Sequence, residues 1–247
     1  MRTPRSHSPT IPLSVSVRRS RWAIPAGLIA LGVLPAVMGI LRLVEVAKHT
    51  VTPANARFLA APLPVTVHVL SVVPFAILGA LQLAPPDPQG RGRSRWHRIV
   101  GWLLVPCGFA AALSGLWMSV FYPWPAGDGV GVFVERIVFG SAMAASMVLA
   151  VDAIRRRDFV AHGAWMIRAY AIGIGAGTQV LTHLPWFLLV DQPPGEGPRT
   201  VMMGAAWVIN LLVAEWAIRR AATRGQTGRA RAARPLPHFA GKVSSTG

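Results

Sequence analysis

Apolar residues in this chain run in long unbroken blocks, not in the spaced stripe of a soluble helix or the alternation of a strand. Six blocks, at about 22–46, 63–84, 99–121, 130–154, 162–190 and 200–218, reach the roughly 20 mostly apolar residues that a helix needs to cross the hydrocarbon core. The pattern predicts an all-α polytopic membrane protein, a bundle of six transmembrane helices. The first block follows a basic leader, exceeds the usual length of a signal core and lacks a small-x-small cleavage site, so it reads as a retained helix. The chain divides into a leader at 1–21, a membrane domain at 22–220 and a tail at 221–247, with leader and tail read as disordered.

Composition agrees with the pattern. Of 247 residues 53% are hydrophobic and 14% charged, and the mean hydropathy is +0.46; a soluble domain carries about a quarter charged residues. The net charge of +16 would suit a nucleic-acid partner, but the Arg residues border the apolar blocks, where topology signals sit. They point to anionic lipid headgroups instead, and nucleic acid is not expected as a partner. The single cysteine, Cys107, excludes an intramolecular disulfide and a Cys-based metal cage.

Orientation follows from the same residues. Arg2, Arg5, Arg18, Arg19 and Arg21 precede the first block, and Arg91, Arg93, Arg95 and Arg98 lie between the second and third. Arg155, Arg156 and Arg157 join the fourth to the fifth, and a further Arg cluster begins at Arg219. The alternate connections hold only Lys48, Arg57 and Arg199, with Arg42 and Arg136 near block ends. Basic connections stay inside, which predicts both termini in the cytoplasm of a bacterial inner membrane. Trp22, Trp96, Trp102, Trp165 and Trp216 fall near the inner ends and Trp117, Trp124 and Trp186 near the outer ones, as interfacial belts require.

Ionisable residues inside a span are expensive and are candidates for function. His68 and His183 fall toward the outer side, and His97 and His162 open the third and fifth blocks from inside. Imidazole ligates transition metals and haem iron, and a pair of His on neighbouring helices is a way to hold haem b. Gly101 would let a porphyrin lie against its helix, and Gly173, Gly175 and Gly177 make another small surface. Arg95, Arg98 and Arg157 stand where propionates would lie. The bland alternative is that these His anchor helix ends and the glycines serve helix packing. Arg168 and Glu215 match in depth and predict an ion pair between the last two blocks. Tyr170, Asn210, Gln82 and Gln179 are candidates for interhelical hydrogen bonds. Glu45 with Arg42, and Glu135 with Arg136, are read as outer-end charges that reach to water. Nucleotide loops, a His-Glu-x-x-His helix and a nucleophile elbow are all missing, so soluble-type catalysis has no sequence support.

Several of these residues form a longer pattern: His68, then Leu78-Gly79-Ala80-Leu81-Gln82, His97-Arg98-Ile99-Val100-Gly101, His162 through Tyr170, and Asn210 with Glu215-Trp216. Over about residues 60–220 the chain resembles the bacterial membrane-protein family of domain of unknown function 2306. The departure is Gly163, where that family usually carries Arg, and His183 stands outside the pattern. The resemblance implies an uncharacterised membrane protein and shifts attention to His68, His97 and His162. At the level of fold and intramembrane His alone, the chain is also similar to b-type cytochromes.

Three readings stay open. The first is a haem b-binding electron-transfer protein, with His97 and His162 as ligands, Arg98 on a propionate and His68 at a second site. The second is a small-molecule transporter or binding protein using a polar cavity around Arg168 and Glu215, with Tyr170 and Asn210. The third is a structural membrane protein without chemistry.

Overall fold

A computed structural model describes residues 14–84 and 93–232. Its elements are helices: α1 (Ser14–Ala47), α2 (Ala56–Ala60), α3 (Pro62–Gln82), α4 (Arg93–Phe121), α5 (Val130–Arg155), α6 (Phe159–Gly173), α7 (Gly175–Leu189) and α8 (Glu196–Ala232). There is no strand among the described residues. Among the described residues five helices are long and apolar enough to cross a membrane, within α1, α3, α4, α5 and α8. Pro25, Pro35, Pro74 and Pro106 lie inside them. Membrane helices tolerate such prolines because neighbouring groups satisfy the freed carbonyls.

The fifth block departs from expectation. It folds as two helices of 15 residues each, α6 and α7, interrupted at Ile174. Each is about 22 Å long, short of the ~30 Å hydrocarbon core. The Ile174 N–H still bonds the Tyr170 carbonyl at 3.0 Å, but Gly177 N–H reaches back only to Ile174 O, at 2.9 Å. The tightened turn falls where Gly173, Gly175 and Gly177 lower helix propensity.

The ends differ as well. α1 begins at Ser14, so residues 14–21 are helical and not part of a disordered leader. α8 continues to Ala232, taking in the first half of the expected tail, whose Ala and Arg favour helix. The rest of leader and tail, 1–13 and 233–247, lies outside the described residues.

α1, α3, α4, α5 and α8 succeed one another around the bundle, and α7 closes it between α8 and α1. α6 packs on α5 and α8 and reaches α3 and α4, so its end carries buried Ala169, Tyr170, Ala171 and Ile172. The core gathers Phe75, Ala80, Val100, Leu104, Met143 and Met147 around Tyr170. Apolar side chains such as Val33, Leu41, Trp102, Leu188 and Leu212 are exposed on the outside, as a lipid-facing surface requires. The turn into α6 is short: Arg157 adopts a left-handed φ of 62°, and Asp158 caps the helix by accepting the Ala161 N–H at 2.9 Å.

Candidate functional site

Most of the polar residues singled out in the sequence hold helices together. The Gln82 amide donates to the His97 carbonyl at 3.0 Å, tying the end of α3 to the start of α4. Gly79 leaves room for the Tyr170 ring, which a Cβ there would strike. The Tyr170 hydroxyl donates to the Ala76 carbonyl at 2.8 Å. Arg168 and Glu215 form a two-pronged ion pair, Nε to Oε1 at 2.5 Å and Nη2 to Oε2 at 3.1 Å, linking α6 to α8. The Arg168 guanidinium also lies 4.5 Å from the centre of the Trp165 ring. Asn210 straddles the α6–α7 break: its amide donates to Ala171 O at 3.0 Å and its carbonyl accepts the Thr178 hydroxyl at 2.8 Å. These contacts satisfy polar groups for which lipid offers no partner.

The break has a consequence for packing. α6 reaches α3, α4 and α5 in one half of the bundle, whereas α7 leans on α8 and α1 in the other. The half around α7 is left with space that no helix fills. A cavity of about 450 Å³ lies there, between α1, α3, α4, α5, α7 and α8. Its walls are largely small and apolar, including Gly39, Val72, Ala112, Gly140 and Ala176, and Gly173 and Ile174 lie along it at the break. That volume falls in the range of small-molecule sites.

Few polar groups face this space. His68 lines it, and His68 Nδ1 lies 3.0 Å from the Ala111 carbonyl and 3.2 Å from Ser114 Oγ. A carbonyl only accepts, so Nδ1 carries the hydrogen that is donated to Ala111 O. Gln179 lines the same cavity, and its Nε2 is buried without a partner among the described residues. Arg57, Phe58, Tyr122 and Arg136 stand at the loop end. None of Arg168, Tyr170, Asn210 or Glu215 lines this cavity, which is mostly apolar and includes His68. The reason is the break in the helix, which moves the unfilled space into the other half of the bundle.

Above the cavity sits a charged cluster. Asp128, with its side chain 1% exposed, receives Arg136 Nη1 at 2.6 Å and Arg199 Nε at 2.5 Å. Arg136 therefore pairs with Asp128 and not with Glu135, whose carboxylate packs on Gly204 of α8 and has Oε2 buried without a partner. Arg42 pairs with Glu45, which also accepts from the wholly buried Asn55 at 3.0 Å. Arg57 Nη1 donates to Pro123 O at 3.1 Å, and both Arg42 and Arg57 lie over the Phe58 ring, at 4.9 and 4.6 Å. Burial, then the neighbouring Arg136, pulls the Arg57 guanidinium below its usual range, with Asp128 opposing. Asp128 escapes a search for charges inside the spans because it sits in a loop; its signal is that the connections at this end carry so few charges.

The proposed haem ligands are placed differently. His97 is exposed near the start of α4, as are Trp96 and Arg98. His162 is half-buried on the first turn of α6, with Nδ1 2.9 Å from the Ala150 carbonyl. The small surface at Gly173, Gly175 and Gly177 is occupied by Phe75, the Trp207 indole and the Leu31 carbonyl. Among the described residues no group of three or more His, Cys, Asp and Glu is placed to hold a metal ion. These placements do not support haem b on His97 and His162, nor a second site at His68, whose surroundings are the apolar cavity.

Comparison with known proteins gives one match. The family model described as "Predicted membrane protein (DUF2306)" matches residues 65–218, which include the cavity's His68 and the Arg168–Glu215 and Asn210 contacts. No curated protein and no solved structure matches the chain.

Proposed function

The chain belongs to this family of predicted membrane proteins, and from that premise we propose that it binds an apolar or amphipathic small molecule inside the membrane, as a carrier or sensor of that molecule. The observation that carries this reading is the 450 Å³ cavity, whose largely apolar wall includes His68 and the Gln179 amide, the latter with its nitrogen buried and without a partner among the described residues. An apolar pocket with a few convergent polar groups is the usual form of a small-molecule site. The motif residues fit the same picture, because they brace the broken helix that leaves the cavity open.

In this reading α6 and α7 in series make a sixth crossing of a bacterial inner membrane. Both termini and the Arg-rich connections face the cytoplasm, where they meet anionic headgroups. The cavity then opens toward the outer side.

The test uses dodecanol as a neutral apolar probe on the detergent-purified chain. At 100 times its dissociation constant it should stabilise the fold by about 2.7 kcal/mol, read as a rise in melting temperature. Ala36→Phe projects a ring into the cavity from α1, so it should fold and lose that rise. Equal shifts in both proteins, or none in the wild type, would refute binding in this cavity.

A further inference from the structure

The charged cluster at the cavity mouth does not close on itself. Arg42 is taken by Glu45, and Asp128 by Arg136 and Arg199. Glu135 and Glu196 pack on Gly204 and Gly129 of neighbouring segments, and neither lines the cavity. Arg57 is left with no carboxylate among the described residues: it holds the Pro123 carbonyl and the Phe58 ring, while its Nε is buried without a partner. A half-buried guanidinium so placed has no ion-pair partner of its own at the rim of an apolar space, and Asp128, already paired twice, offsets its charge only in part. Arg136 stands beside it on the same rim, already sharing Asp128.

Below the rim the walls turn apolar at once. Along α4 the cavity runs from Ala111 to the residue just past its end, Tyr122, about 16 Å at 1.5 Å per residue. It ends near Gly173 and Ile174, where the α6–α7 break lies. The space is therefore cationic at one end and apolar over its length, and the fit is to a molecule of opposite sequence. We infer that the cavity takes a single-chain anionic amphiphile, its carboxylate or phosphate head on Arg57 and its chain directed down to the α6–α7 break. Guanidinium suits both heads, since its fork of donors matches the oxygens of either. This rests on the small-molecule reading above and adds the head group and the polarity of binding. His68 and Gln179 then lie beside the chain, where they tolerate or select a polar substituent on it.

The experiment titrates the detergent-purified full chain at pH 8 with dodecanoate, dodecyl phosphate and dodecanol, counting bound molecules by native mass spectrometry. Both anions should bind the wild type at least tenfold more tightly than dodecanol. Arg57→Gln should remove that advantage and leave dodecanol binding unchanged. A preference for dodecanoate over dodecyl phosphate, or the reverse, identifies the source of the head. Dodecanol binding as tightly as the anions, or an anion preference kept in Arg57→Gln, overturns the inference and leaves the cavity reading intact. Failure of all three probes to bind overturns both. Should Arg57→Gln fail to fold, the wild type with a diazirine beside the dodecanoate head decides: label at residues 57–58 and 122–125 supports the inference, and label confined to the Arg-rich end refutes it.

Discussion

At the scale of single residues, the contact between Gly79 and Tyr170 shows how little freedom the packing around α6 retains. The Tyr170 ring lies where a Gly79 side chain would begin, and its hydroxyl is fixed on the Ala76 carbonyl one turn away. Gly79→Ala should therefore destabilise the protein by about 1–3 kcal/mol, the usual cost of overpacking. Tyr170→Ala removes the obstructing ring, so adding Gly79→Ala to it should cost far less than in the wild type. Melting temperatures of the four proteins check this, and simple additivity would mean that the ring and the glycine do not meet. The sequence makes both residues visible, Gly79 in the Leu-Gly-x-x-Gln run and Tyr170 after Arg168. What it withholds is that they are partners, because a glycine carries no sign of what fills its space. The same holds for His68: its intramembrane position marks it, but the empty volume beside it is a property of five other helices.

Between elements, the polar contacts span α6 and its neighbours, and the Arg168–Glu215 pair can be tested as a unit. Its two side chains are 25% and 33% exposed, so part of the attraction is screened. Removing one partner leaves a charge in a poor environment and a bidentate contact broken, with an expected loss of about 1.5–3 kcal/mol for Arg168→Met or Glu215→Met. The double substitution should be less damaging than the sum of the two, since it leaves no orphaned charge. Thermal denaturation of the set measures the coupling, and a strictly additive pair would remove the bridge from the list of contacts holding α6 to α8.

The break between α6 and α7 invites a second test, because Asn210 serves both sides of it. Asn210→Ala strands the Thr178 hydroxyl and the Ala171 carbonyl, with an expected cost of about 0.6–2 kcal/mol for hydrogen bonds inside a membrane bundle. A Tm equal to the wild type's would show that the break holds without it. The long blocks are legible in the sequence because apolar length is a direct signal. Straightness is not: a glycine at alternate positions can mark a packing surface or a bend, and here Gly173, Gly175 and Gly177 are both. The site inherits that blindness, since the cavity exists only because α7 leans away from α3, α4 and α5.

For the whole molecule, the arrangement in the membrane depends on whether α6 and α7 cross as one. Arg-rich connections at one end and their scarcity at the other argue for the first end inside. If α6 and α7 run in series through the bilayer, the loop before α8 faces the same side as the loop after α1. If instead they dip in and return, that loop faces the side of the α5–α6 turn. Three single cysteines in a Cys107→Ala background separate these cases, each at an exposed position: Ala54→Cys after α1, Arg156→Cys at the α5–α6 turn and Asp191→Cys after α7. An impermeant maleimide on intact cells with a permeabilised outer membrane should label positions 54 and 191, and position 156 only after the inner membrane is opened. Labelling of 191 together with 156 would make α6–α7 re-entrant, leave five crossings and place the two termini on opposite sides. Labelling of 156 alone in intact cells would invert the bundle. The cavity mouth at Arg57 and Tyr122 would then face the cytoplasm, and a ligand would have to arrive from within the cell.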